Sequence, residues 1–125
     1  MARTVLLIAS LSGALAVMLG AFGAHGLKSR LTPELMAVYQ TGVQYHFYHT
    51  VALLTCGLLI HNGMDNTAVR VGAYSFIVMM IFSGSLYILA ITDTRWLGAI
   101  TPIGGAAFIV GWLALTIGVM RSNVQ

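Results

Sequence analysis

Gln40-Thr41-Gly42-Val43-Gln44-Tyr45-His46-Phe47-Tyr48-His49-Thr50 runs directly into Val51-Ala52-Leu53-Leu54-Thr55-Cys56-Gly57-Leu58-Leu59-Ile60. The first stretch crowds glutamine, tyrosine and two histidines into three helical turns, and the second is almost wholly apolar. Polar groups at membrane depth are costly unless they meet water or find partners inside a bundle. The segment therefore reads as a helix entering a bilayer polar end first, and the rest of the chain is expected to supply its partners.

Composition supports that setting. The chain has 125 residues, of which 58% are hydrophobic and 7% charged, and its mean hydropathy is +0.90. Soluble domains carry about 25% charged residues, so this surface is not built for water alone. The length suits one membrane domain spanning residues 1–125, with no soluble module beside it. Six basic and three acidic residues are too sparse for the clustered basic face that nucleic acid requires. Cys56 is the only cysteine, so no intrachain disulfide forms. Leu53-Leu54-Thr55-Cys56 looks like a lipoprotein cleavage box, but it lies mid-chain in an apolar run, where a small core residue is expected.

Working outward, residues 4–24 form an uncharged run flanked by Arg3 and by Lys28 and Arg30. About 20 apolar residues cross a bilayer core, whereas the apolar run of a cleaved signal is about 7–15, so this run is expected to remain as a span. Gly26 is expected to cap its end. Thr32-Pro33-Glu34 predicts a helix start, with Thr32 as N-cap and proline at the first helical position. That second helix begins near residue 33 at the interface and spans over 43–60. A polar turn, His61 to Asn66, returns the chain to a third span over 71–91. The fourth covers 98–120, with Thr101-Pro102 as a second cap and Tyr87 and Trp96 in an aromatic belt. The sequence thus predicts an all-α membrane protein, an antiparallel four-transmembrane-helix bundle with short turns. Basic residues divide evenly between the two faces, Arg3, Arg70 and Arg121 against Lys28, Arg30 and Arg95. Cytoplasmic termini are expected because Arg3 directly precedes the first span.

Lipid tails give helices no hydrophobic reason to associate, so small residues must let backbones approach. Ala9, Gly13, Ala16, Gly20 and Gly23 form one stripe in the first span. Gly104, Gly111 and Gly118, seven apart, form another in the fourth. Such seams serve the interior of the bundle or contact between protomers, and the interior is the expected use; a homo-oligomer or a membrane partner remains open, with membrane lipid around it. Leu11-Ser12-Gly13-Ala14-Leu15 also echoes Phe82-Ser83-Gly84-Ser85-Leu86, although the even-numbered spans do not match.

This topology gathers His25, Gln40, Gln44, Tyr45, His46, Tyr48, His49, Tyr87, Asp93 and Thr101 toward one membrane face. Helix geometry puts Thr41, Gln44, Tyr45, Tyr48, Ala52 and Thr55 on one arc, with His49 at its edge and His46 about 60° beyond His49. Three chemical readings follow. His25, His46 and His49 are weak candidates for a metal site, since imidazole suits zinc, copper or iron, but no CxxC, HExxH or Glu-x-x-His motif accompanies them. A His25–His49 pair on haem would need a coincidence of depth, and no cofactor is expected. A small-ligand or proton-linked pocket would use His25, Gln44, Tyr45, His49 and Tyr87, with Tyr87 or Asp93 as a histidine partner. The plainer reading is that these groups hydrogen-bond between helices and fix their register. No G-x-S-x-G elbow surrounds Ser83 or Ser85, the three acids lie in separate turns, and Gly20–Gly26 follows no strand, so catalysis and phosphate cradling are not expected.

Leu19-Gly20-Ala21-Phe22-Gly23-Ala24-His25, Gln40-Thr41-Gly42 with Tyr45 and His49-Thr50, Phe82-Ser83-Gly84-Ser85-Leu86-Tyr87, and Thr101-Pro102-Ile103-Gly104-Gly105 with Phe108 and Gly111-Trp112 occur in that order. Together they resemble the YgdD-like family, small bacterial inner-membrane proteins of uncharacterised function with related small transmembrane proteins in eukaryotes. The resemblance covers nearly the whole chain. It implies four spans in the plasma membrane and brings no substrate, cofactor or catalytic residue. Members often end in a longer basic tail, whereas this chain ends Arg121-Ser122-Asn123-Val124-Gln125.

Overall fold

The computed structural model describes residues 1–123, and these contain helices and turns but no strand. Helix α1 spans Ala2–Phe22 and continues through a π-helical turn, Gly23–Leu27. Gly26 sits inside that turn, so it does not end the helix as its position suggested. Helix α2 spans Pro33–His61; its Thr32 side chain accepts from the Leu35 amide at 3.2 Å, satisfying one of the amides left free at a helix start. Gly63 turns the chain with φ of 92°, and Asn66 caps α3, Thr67–Ile77. Val78 interrupts the helix without proline or glycine, and α4 follows over Met79–Thr92. Asp93 closes α4 in the left-handed conformation, φ 52°. A 3-10 turn, Arg95–Ala99, leads into α5, Thr101–Met120. Thr101 is the first residue of α5 and not its cap; its hydroxyl lies 3.3 Å from that of Ser85.

Among the described residues three helical stretches, Ala2–Leu27, Thr67–Thr92 and Arg95–Met120, are long and apolar enough to cross a membrane. Each has 26 residues, more than the roughly 20 that a hydrocarbon core demands. Helix α2 is not among them. Gln40, Gln44, Tyr45, His46, Tyr48 and His49 dilute its apolar character, and it is the helix with most neighbours: α1 packs on it from one side and α3 and α4 from another. Helix α5 packs against α3 and α4.

The packing pairs run in opposite directions. Gly57 meets Val5 and Leu6, Gly13 meets Thr50, and Gly20 meets Val43, so α1 and α2 are antiparallel. Cys56 lies against Gly72, Thr50 against Met79, and Gly42 against Leu86, so α2 opposes α3 and α4. Gly104, Gly111 and Gly118 of α5 accept Phe82, Phe76 and Val69, so α5 opposes them in turn. A Cβ at these α5 glycines would fall 2.7, 2.7 and 2.6 Å from those side chains, closer than atoms pack. The core gathers Leu53, Cys56, Val69, Phe76, Met79 and Phe108. Outside it, Leu11, Val17, Met18, Ile88, Ile103 and Ile109 are exposed over more than half their surface, the apolar exterior that lipid requires.

Candidate functional site

The polar column of α2 is Gly42, His46 and Thr50, one residue per turn, all buried. Gly42 leaves room for Tyr87, whose ring carbon would stand 2.9 Å from a Cβ there, and offers its carbonyl to the Ser83 hydroxyl at 2.8 Å. Tyr87, leaning toward the N-terminus of α4 as helical side chains do, reaches His46 Nδ1 at 2.9 Å. On its other side His46 Nε2 lies 2.9 Å from Ser12 Oγ of α1. Ser12 Oγ is 2.7 Å from Thr50 Oγ1, and Thr50 donates back to the His46 carbonyl at 2.8 Å.

One assignment of protons satisfies every group. Tyr87 donates to His46 Nδ1, His46 Nε2–H donates to Ser12, Ser12 donates to Thr50, and Thr50 donates to the His46 carbonyl. A charged imidazolium would leave the tyrosine proton without an acceptor and would sit in the interior with no carboxylate beside it. The three acids are engaged elsewhere, Asp65 by Arg70 and both Glu34 and Asp93 by Arg95. His46 is therefore neutral, with its proton on Nε2. Among the described residues no buried side-chain nitrogen or oxygen lacks a partner.

His49 belongs to a second, aromatic cluster. It is buried and stacks on Phe108 with ring centroids 3.6 Å apart and planes 11° from parallel. Its Nδ1–H donates to the Tyr45 carbonyl at 2.8 Å, and its Nε2 accepts from Trp112 Nε1–H at 3.3 Å. It is thus neutral as the opposite tautomer to His46. Tyr45 stacks beside it at 5.8 Å and also contacts Phe82 and Phe108. The outer faces of these rings, with Tyr48 and Ile109, line an open groove of about 920 Å³ between α2 and α5.

The histidines named from sequence thus fall in three places. His46 joins Tyr87, His49 joins Tyr45, and His25 lies exposed on the π turn, where it touches neither. Gln44 is exposed and lines a cleft of about 250 Å³ with Gln40, Tyr39 and Gly20. The proposed partner Asp93 is bound to Arg95 at 3.1 Å. No three histidine, cysteine, aspartate or glutamate side chains are placed to hold one metal among the described residues.

Sequence reasoning assigned no site role to Ser12 and Thr50, and it placed His46 away from the polar arc. One signal was available. The echo at residues 11–15 and 82–86 contains Ser12 and Ser83, and both serines hydrogen-bond to the same column of α2, from opposite neighbours.

Residues 19–105 match the family described as "Protein of unknown function (DUF423)". The chain is 43% identical over 120 residues to a UPF0382 membrane protein of Staphylococcus saprophyticus, covering 95% of this chain and 98% of that one. It is 39% identical over 121 residues to the UPF0382 membrane protein YwdK of Bacillus subtilis, covering 95% and 98%. Over 119 residues it is 34% identical to the inner membrane protein YgdD of Escherichia coli, covering 95% and 91%. No solved structure matches the chain. The chain belongs to this family of transmembrane proteins, whose function is uncharacterised.

Proposed function

We propose that this family member is a four-span protein of the bacterial inner membrane, with α2 as its polar fourth span and both termini in the cytoplasm, acting as a non-enzymatic structural or partner-binding bundle. One observation carries the reading: the Ser12–His46–Tyr87–Thr50 network closes on itself, and its last proton returns to the His46 carbonyl. In that arrangement the protons of Tyr87, His46, Ser12 and Thr50 are each already given to a neighbour inside the bundle. What it does is tie α1, α2 and α4 at one register, the role polar side chains commonly take between membrane helices. The antiparallel order of contacts and the burial of Gly42, His46 and Thr50 between α1 and α4 support the fourth span. Topology reporters fused after residues 30, 65, 95 and 125 test it: alternating signals, with 65 and 125 on the cytoplasmic side, are expected. Reporters at 30 and 65 on the same side would refute a spanning α2.

A second reading, a bundle that binds a small apolar ligand, draws on the groove beside His49. It differs from the His25–His49 pocket suggested by the sequence, because His25 does not line that groove. Ligand-dependent protection of Tyr45 and Trp112 fluorescence from a lipid-soluble quencher would favour it. Quenching unchanged by any extract lipid would count against it.

A further inference from the structure

The three acidic side chains are fewer than the six basic ones, and the unmatched positive charge is not spread evenly. Asp65 is held by Arg70 through two contacts of 2.6 Å, and this hydrogen bonding keeps its carboxyl below the usual range. Glu34 and Asp93 share Arg95 at the opposite end. Arg3 has no carboxylate within 4 Å among the described residues. It stands in the first turn of α1, where it lines a groove of about 330 Å³ with Leu6, Leu7, Ser10 and His61. The groove has a graded character along its length. Arg3 and His61 lie where α1 begins and α2 ends, and leucine follows one turn further along α1; Leu7 and Leu11, four residues apart on one face, continue that surface with 54% and 71% exposure. Ser10 already donates to the Leu6 carbonyl at 2.8 Å, so the donors facing an anion are those of Arg3 and His61.

We infer that the Arg3–His61 groove is a binding site for one anionic phospholipid, its headgroup phosphate held by Arg3 and His61 and one acyl chain lying along Leu7 and Leu11. Charge complementarity selects the occupant. A phosphate completes the guanidinium's donor set as a carboxylate would, and an acyl chain covers the leucines where a soluble anion would leave them bare. Arg121, at the same end, lies in a different pocket, with Asn62, Asp65 and Asn66. It supplies charge without that leucine track, and so serves as the comparison.

Native mass spectrometry of the detergent-purified protein, titrated with phosphatidylglycerol, with phosphatidylcholine and with inorganic phosphate, tests the site. The wild type is expected to retain phosphatidylglycerol more tightly than phosphatidylcholine, with inorganic phosphate binding negligible. Arg3→Gln is expected to weaken phosphatidylglycerol retention about tenfold, the scale of one lost charge-assisted contact, while Arg121→Gln changes it less than about twofold. Equal loss in both variants would mean diffuse charge and would overturn the site. Equal retention of the two lipids, or phosphate binding as tight as the lipid, would overturn it as well. Unchanged helical circular dichroism of Arg3→Gln shows that its loss of lipid is local. If that variant unfolds, His61→Gln takes its place, with the same expected direction and the same refuting outcomes.

Discussion

Along α5, Gly104, Gly111 and Gly118 admit Phe82, Phe76 and Val69 by having no side chain. Along α2, His46 and Thr50 meet Ser12 and Tyr87 through hydrogen bonds of 2.7–2.9 Å. The first seam sets how closely two helices approach, and it tolerates any large apolar side chain that fits. The second sets which residues stand opposite one another, because a shift of one residue would part Tyr87 and Ser12 from His46 and Thr50. In a lipid solvent both are needed, since burial of apolar area between helices supplies little drive for association.

Substitutions separate the two seams. The largest effect is expected at the polar column. His46→Ala removes the group that joins three helices, strands the Tyr87 hydroxyl, takes from Ser12 one of its two side-chain partners and opens a void, so a loss of about 2–4 kcal/mol is expected. Thermal unfolding in detergent measures it, and a wild-type melting curve would break the comparison from the polar side. At the steric seam, Gly104→Ala drives a Cβ to 2.7 Å from Phe82 Cβ and 3.2 Å from its Cα, atoms that no rotamer change moves away. Overpacking of about 1–3 kcal/mol is expected there. Gly84 sharpens that test, because nothing lies within 4 Å of a Cβ built on it. Gly84→Ala in the same assay should stabilise α4 by roughly 0.5–1 kcal/mol. A destabilised Gly84→Ala would show that helix glycines here act through something other than contact. Ser12→Ala, with His46 intact, is expected to cost about 1 kcal/mol, the scale of one hydrogen bond between membrane helices.

Much of the architecture was legible because its causes are local. Thr32-Pro33 starts α2 by capping chemistry, Gly63 and Asn66 make the turn, and the sevenfold glycine spacing of α5 fell where three large side chains needed room. The break at Val78 left no mark in the sequence, since neither proline nor glycine produces it. The site was half legible. That the polar groups of residues 40–50 need partners followed from the cost of burying them. Which histidine would be buried among them did not, because helix periodicity identifies an inward face only when a helix has one. Helix α2 is covered by α1 and by α3 and α4 on different sides, so the column Gly42–His46–Thr50 competes with the arc through Gln44, Tyr45 and Tyr48. The decision rests on Ser12 and Tyr87, 34 and 41 residues away. The same long-range packing separated His25 from His49.

The central claim, a closed hydrogen-bonded ring at His46, is tested most directly by the ¹⁵N resonances of the imidazole rings in labelled protein at neutral pH. The account predicts a neutral His46 protonated on Nε2 and a neutral His49 protonated on Nδ1, the His46 pattern collapsing in Ser12→Ala. A doubly protonated His46, or one carrying its proton on Nδ1, would contradict it, because Nδ1 could then accept nothing from Tyr87.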